Sequence, residues 1–315
     1  MTHARHLLAG ESASGYSRDM NTTKRTFVLG LLLPLLIGTD LFGDDLFGDD
    51  LMLNLRTRTV GDREPRLEEA TWKAENTALV ICDMWDDHWC KSAARRVDQL
   101  APALNATVAA ARQQGVLIIH APSSVVKFYR GSPQRELASA APLAKPPVPL
   151  STSPRWGTTW CWPDAQREGV LPIDDSDMGC SCSGEKCEIR EAWSRQNKLI
   201  EIAPEDALTD DGQETFNLLE QRGIDNVILC GVHLNMCVLG RPFGIRQMVR
   251  LGKNVALIRD LTDTMYNPER PPGVDHFAGT DLVVEHVEKY WCPTFTSSDI
   301  TGHRAFVFAA DDRAR

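Results

Sequence analysis

Six residues beyond the apolar run "NVILCG" stands Cys237, inside the segment "GVHLNMCVLGRPFGIRQM" (231–248). A thiol at the start of a helix faces unpaired backbone N–H groups and the positive end of the helix dipole, which lowers its pKa. The same N–H groups can hold the oxyanion of a tetrahedral intermediate. The competing reading is a small buried helix residue. Asp83 closes an earlier apolar run, "NTALVICDM" (76–84), and His120 lies near the end of another, "GVLIIHAPS" (115–123). A carboxylate, an imidazole and a thiol at or just past strand ends are the parts of an acid–base or nucleophilic site.

The elements that position them follow from periodicity. Continuous apolar runs at 76–84, 115–123, 197–202, 226–231 and 254–260 read as buried strands, with 292–297 as a last one. Helical patterns lie between them, at 92–114 (interrupted by Pro102), 210–222, 240–251 and 280–290, two of them closed by Gly223 and Gly252. Short apolar strands alternating with amphipathic helices predict an α/β fold, a three-layer αβα sandwich with a mostly parallel sheet. Such folds bind ligands beyond the carboxyl ends of the strands. The stretch 124–196 is rich in Pro, Trp and Cys, too long for an ordinary connection, and reads as a layer over the sheet.

Of 315 residues, 43% are hydrophobic and 24% charged, ordinary for a globular chain, and the formal charge of −9 argues against a nucleic-acid partner. No phosphate-binding glycine fingerprint follows a strand, so a nucleotide cofactor has no support, and no cofactor is assigned. "KRTFVLGLLLPLLIG" (24–38) sets two basic residues before an apolar run of signal-peptide length, too short to span a membrane. The acidic duplication "DLFGDDLFGDD" (40–50) follows. The expected organisation is a signal peptide and flexible leader over 1–60, one large domain over 72–300 with its insertion at 124–196, and a tail over 301–315. Export to a periplasmic or extracellular location is expected, or a cytoplasmic one if the apolar segment is not a signal, with no membrane contact in the mature form.

The nine cysteines include the cluster Cys180, Cys182 and Cys187. Its spacing is compatible with a disulfide, with zinc completed by a ligand such as Cys161, or with incidental thiols. Cys82 and Cys230 fall inside strand runs and read as core residues.

"ALVICDMWDDHW", followed much later by "GIDNVILCGVHLNMCVLGRPFGIRQMVRLGKNVALIRDLTD", resembles the isochorismatase-like cysteine hydrolases, which include nicotinamidases and N-carbamoyl amidohydrolases. The resemblance covers about residues 75–297, with Asp83 at the first-strand aspartate and Gly231, Val232 and Cys237 at the strand–Gly-Val-x4-Cys segment. It implies a Cys–Asp–Lys triad in which Cys237 attacks and Asp83 moves the proton. It also implies a cis peptide between Val232 and His233 that turns N–H groups toward the oxyanion. Isochorismatase proper uses no catalytic cysteine, so Cys237 points away from that reaction.

The lysine is where this chain departs from the family. The family's interval lands near Pro204, and Lys198 is the nearest candidate, with Lys127 and Arg195 as other cations. The expected catalytic set is Cys237, Asp83 and Lys198, with Val232, His233, Asn235 and Met236 about the oxyanion. Trp85, His88, His120 and Asp260 are expected in the pocket. Nicotinamidase relatives bind zinc with one Asp and two His, but "DMWDDHWC" lacks the Asp-x-His order, so His88 and His120 are read as shaping the pocket and no metal is assigned there. Arg241 and Arg246 meet an anionic substrate, a partner subunit or solvent. The expected function is hydrolysis of a C–N bond in a small amide or carbamoyl compound by a homo-oligomer. The alternatives are a silent binding module of the same fold and a metal-dependent hydrolase using His88 and His120.

Overall fold

The computed structural model describes residues 50–62, 64–184 and 187–314. The expected signal peptide and nearly all of its leader lie outside the described residues. The elements are β1 (Leu51–Thr57), β2 (Arg66–Trp72), β3 (Thr77–Cys82), α1 (Lys91–Gln113), β4 (Leu117–Ala121) and α2 (Pro133–Ser139). After these come β5 (Pro154–Arg155), β6 (Thr158–Thr159), β7 (Ala207–Leu208), α3 (Gly212–Gln221), β8 (Asn226–Val232) and α4 (Ile245–Arg250). The chain closes with β9 (Asn254–Asp263), α5 (His276–Tyr290), β10 (Thr294–Phe295) and α6 (Ser298–Thr301).

The main sheet runs β2-β1-β10-β9-β8-β3-β4-β7. From β10 to β7 every pairing is parallel, and β1 and β2 add an antiparallel edge. Every residue of β3 and β8 is buried, as expected of strands covered on both faces. Strand alternation divides their side chains. Ala78, Val80, Val227 and Leu229 pack with α3, α4 and α5, whereas Leu79, Ile81, Ile228 and Cys230 pack with α1. The result is the αβα sandwich, and the carboxyl ends of β3, β4, β8 and β9 share one edge.

Four expectations are corrected here. The folded chain begins well before Trp72, because "LMLNLRT" alternates buried Leu51 and Leu53 with exposed Met52 and Asn54 as an edge strand does. Residues 197–202 form no strand: Ile200 N–H turns back to Asn197 C=O, and Asn197 and Glu201 are tied to Asp98 and Asn105 of α1. The strand that pairs with β4 is β7, a few residues later. Helix α1 runs straight through Pro102; the one N–H that proline removes is outweighed by burial of Leu100, Ala101, Leu104 and Val108. Residues 301–314 are not a tail apart from the domain, since Phe306 and Phe308 pack against the α1-side core and Phe306 N–H meets Asp260 at 2.9 Å.

The insertion lies over the carboxyl edge of the sheet and is anchored there by charge. Glu168 accepts from Arg246 of α4 at 2.8 and 3.0 Å and from Trp291 Nε1 at 3.0 Å, with His286 of α5 also 3.0 Å away. Burial alone would raise the Glu168 carboxyl, but the His286 and Arg246 hydrogen bonds and the Arg246 charge lower it from 4.5 to about 2. A depressed folded-state pKa contributes stability above the unfolded value and loses it as pH falls through the folded one. Acidification from about pH 4.5 to 2 is therefore expected to weaken the protein through this cluster. In urea titrations across that range Glu168→Gln should start less stable and lose less; parallel losses in both proteins would place the acid sensitivity elsewhere.

Candidate active site

Asp83 follows the last residue of β3 with a φ of +46°, a left-handed conformation that aspartate tolerates better than most residues. Its Oδ1 accepts from Ser123 N–H at 2.7 Å, just beyond β4, and the carboxylate is fully buried. Its Oδ2 accepts from Arg241 Nε at 3.1 Å. Neighbouring β8 approaches this corner closely because Gly231, at φ +100°, has no side chain: a Cβ there would sit 2.1 Å from the Cys82 carbonyl oxygen.

Beyond β8 the Val232–His233 peptide is cis, as the resemblance implies, and Leu234–Val238 forms a π-helical turn. Cys237 lies in that turn and not at the start of a long helix, since α4 begins only at Ile245. The expected lowering of its pKa is accordingly reversed. Burial pushes the thiol well above its ordinary range, outweighing the pull of Arg241, while hydrogen bonding and repulsion from Asp83 push it further up.

Arg241, four residues after Cys237, is the cation bonded to Asp83. It is 1% exposed. Burial disfavours its charge, but the neighbouring Cys237 and Asp83 raise its pKa above the ordinary arginine value. Its Nη1 donates to Trp156 C=O at 2.9 Å and to Thr158 Oγ1 at 2.7 Å, on the β5–β6 hairpin of the insertion. Trp160 lies over the guanidinium, with its ring centre 5.6 Å away, and can pack there because Gly240 has no Cβ to strike it. The insertion thus completes the coordination of the buried arginine.

A cavity of about 500 Å³ opens above this trio. Cys237, Arg241, His233 and Met236 line it from beyond β8, Trp85, His88 and Trp89 from beyond β3, Met265 from beyond β9, and Lys127, Trp156, Met178 and Trp193 from the insertion. Trp85 and Trp193 stack with centroids 4.2 Å apart, making a flat wall. His88 is held neutral: burial lowers its pKa to about 4 despite the Cys90 hydrogen bond and the nearby Asp87. His233 Nε2 and Trp193 Nε1 are buried and have no hydrogen-bond partner among the described residues. Such groups are uncommon and leave donors or acceptors for a ligand.

Other expected site residues stand apart. Lys198 is exposed on the turn after Asn197, whose side chain is bonded to Asp98 of α1, and it lines no part of the cavity. His120 is buried between Gln196 (3.0 Å) and Asp206 (2.9 Å), so it does not converge with His88. Asp260 accepts from Ser297 and Phe306 because β9 continues to Asp263, which takes the strand end. Val232 is packed into the α1-side core. Asn235 ties the insertion to β9, donating to Asp175 at 2.8 Å and accepting from Met265 N–H at 2.9 Å. Cys161 accepts from Arg250 at 2.9 Å and is no part of the other cysteine cluster. Arg241 was overlooked as the cation in sequence because its signal, an i, i+4 spacing from Cys237, has no counterpart in the family pattern. Removing it would leave Asp83 buried without its counter-charge. Arg241→Ala should therefore lose about 3–5 kcal/mol in chemical denaturation; a loss below ~1 kcal/mol would mean that Asp83 is neutral or differently compensated.

No family model matches the chain, and no curated protein matches it. Solved structures do. A cysteine hydrolase from Pseudomonas syringae pv. phaseolicola is 14% identical over 73% of this chain and 92% of its own, with a TM-score of 0.42. An isochorismatase family protein from Burkholderia thailandensis is 15% identical over 72% of this chain and 95% of its own, with a TM-score of 0.41. An isochorismatase from Pseudomonas putida is 10% identical over 72% and 91%, with a TM-score of 0.41. In its own topology, with an aspartate directly beyond β3 and Gly-Val-x4-Cys leading out of β8, the chain resembles the isochorismatase-like hydrolases.

Proposed function

We propose that this chain is a cysteine hydrolase that cleaves the C–N bond of a small amide or carbamoyl compound. The observation that carries the reading is the buried Cys237–Asp83–Arg241 trio beneath an aromatic-walled cavity. As Cys237 Sγ bonds to the carbonyl carbon, its proton passes to Asp83 and the carbonyl electrons move to oxygen. Collapse of this adduct breaks the C–N bond, and the proton on Asp83 goes to the departing nitrogen. A water molecule then gives a proton to Asp83 while attacking the thioester. Breaking the C–S bond returns that proton to sulfur and releases the acid.

Arg241 cannot take the proton-shuttling part open to a lysine, because guanidinium stays charged. Its part is to orient the Asp83 carboxylate and balance its charge. The indole walls suit a flat substrate, and the unpaired His233 and Trp193 nitrogens supply hydrogen bonds for its polar edge. Ammonia release from a panel of small amides and carbamoyl compounds tests the proposal. Cys237→Ala and Asp83→Asn should each reduce turnover by on the order of 10³ or more, with near-UV circular dichroism unchanged. Equal turnover by wild type and Cys237→Ala would exclude this thiol as the nucleophile.

A further inference from the structure

The insertion carries a second thiol cluster, separate from Cys237. Cys90 at the start of α1 and Cys180 and Cys182 of the insertion place their sulfur atoms within 4.8 Å of one another. Cys182 Sγ is 3.8 Å from that of Cys90 and 3.5 Å from that of Cys187. From the convergence of these thiols we infer a structural zinc site formed by Cys90, Cys180, Cys182 and Cys187, which staples the insertion to the sheet and fixes the roof of the cavity.

Several observations support this reading. Four thiolates held at about 2.3 Å around a tetrahedral ion have sulfur–sulfur edges of about 3.8 Å. A disulfide needs about 2.05 Å, so the Cys90–Cys182 distance of 3.8 Å and the Cys182–Cys187 distance of 3.5 Å fit a metal-bridged arrangement better than a bonded pair. Cys90, Cys180 and Cys182 already converge, and Cys187, adjacent to Cys182 but outside that mutual group, moves inward to complete the set. Ser92 donates to Cys182 Sγ through N–H at 3.2 Å and Oγ at 3.0 Å, as outer-sphere donors do for metal-bound thiolates. Cys90 stands at the N-cap position of the 23-residue helix α1, whose positive end favours anionic sulfur. Positive charge is also close, since Arg95 donates to Ser92 and Arg96 to Ser181. Four thiolates leave no open position, so the ion would serve structure and not hydrolysis.

The placement gives the staple its consequence. Met178, just before Cys180, and Ile189 to Glu191 and Trp193, just after Cys187, line the cavity, as does Trp89 beside Cys90. Fixing the four sulfurs therefore fixes both ends of the wall over Cys237. This holds whatever reaction the cavity supports.

The test uses the full-length protein, reduced, incubated with one equivalent of zinc and desalted, with metal measured by mass spectrometry. About one zinc per chain is expected in wild type and in Cys161→Ser, whose sulfur lies outside the cluster, and none in Cys182→Ser. Cobalt loaded into wild type should give thiolate-to-metal charge-transfer bands and the visible absorption of a tetrahedral site, a readout that needs no variant. Chelation should speed tryptic cleavage after Arg190 by roughly tenfold or more, as the roof loosens. Wild type that retains no zinc, cobalt spectra without thiolate bands, or a disulfide among these four cysteines in the reduced protein would each overturn the proposal.

Discussion

A single buried ion pair, Arg241 to Asp83, organises the candidate site. A carboxylate and a guanidinium stripped of water are stable only together and only when their other polar atoms are satisfied. Each demand recruits a part of the fold. Ser123 at the end of β4 takes one carboxylate oxygen, and the insertion hairpin takes the far side of the guanidinium. Cys237, in the turn after β8, is drawn into the same cluster. Strand ends and insertion are thereby locked to a common point.

That arrangement explains why the insertion is so long. A conventional connection between β4 and β7 could not reach across the carboxyl edge of the sheet to meet Arg241, and it could not roof the cavity. The extra chain forms little regular structure of its own, so its position depends on polar anchors. Glu168 against Arg246 and His286, and Asp175 against Asn235, hold it to the helices and strand ends beneath. The aromatic stack of Trp193 on Trp85 joins roof to floor. Glu168, Arg246 and His286 are buried, so leaving any of them unpaired would be costly and alternative placements of the insertion are disfavoured.

Electrostatics also separates the histidines that looked interchangeable in sequence. His88 sits in an apolar, indole-lined part of the cavity and stays neutral. His120 lies between Asp206 and Gln196, with Arg112 bonded to the same Asp206. One is a wall of the cavity and the other a brace between β4 and the chain that enters β7. Their roles follow from their neighbours and not from their residue type.

The strands β3, β4, β8 and β9, the helices between them, and the αβα layering were legible in sequence because local periodicity and continuous apolar runs dictate them. The placement of Asp83 and Cys237 just past two strand ends was legible too, since each stands a short distance beyond a continuous apolar run. The cation was not. Arg241 and Lys198 are both ordinary helix- or turn-compatible residues, and only the approach of the β5–β6 hairpin makes one of them a buried partner of Asp83 while the other stays in solvent. Likewise, the spacing of Cys180, Cys182 and Cys187 could not reveal Cys90, which is distant in sequence and brought near by the packing of the insertion on α1. Local sequence determined the elements and their ends; long-range packing, which no periodicity records, decided which charges and thiols meet.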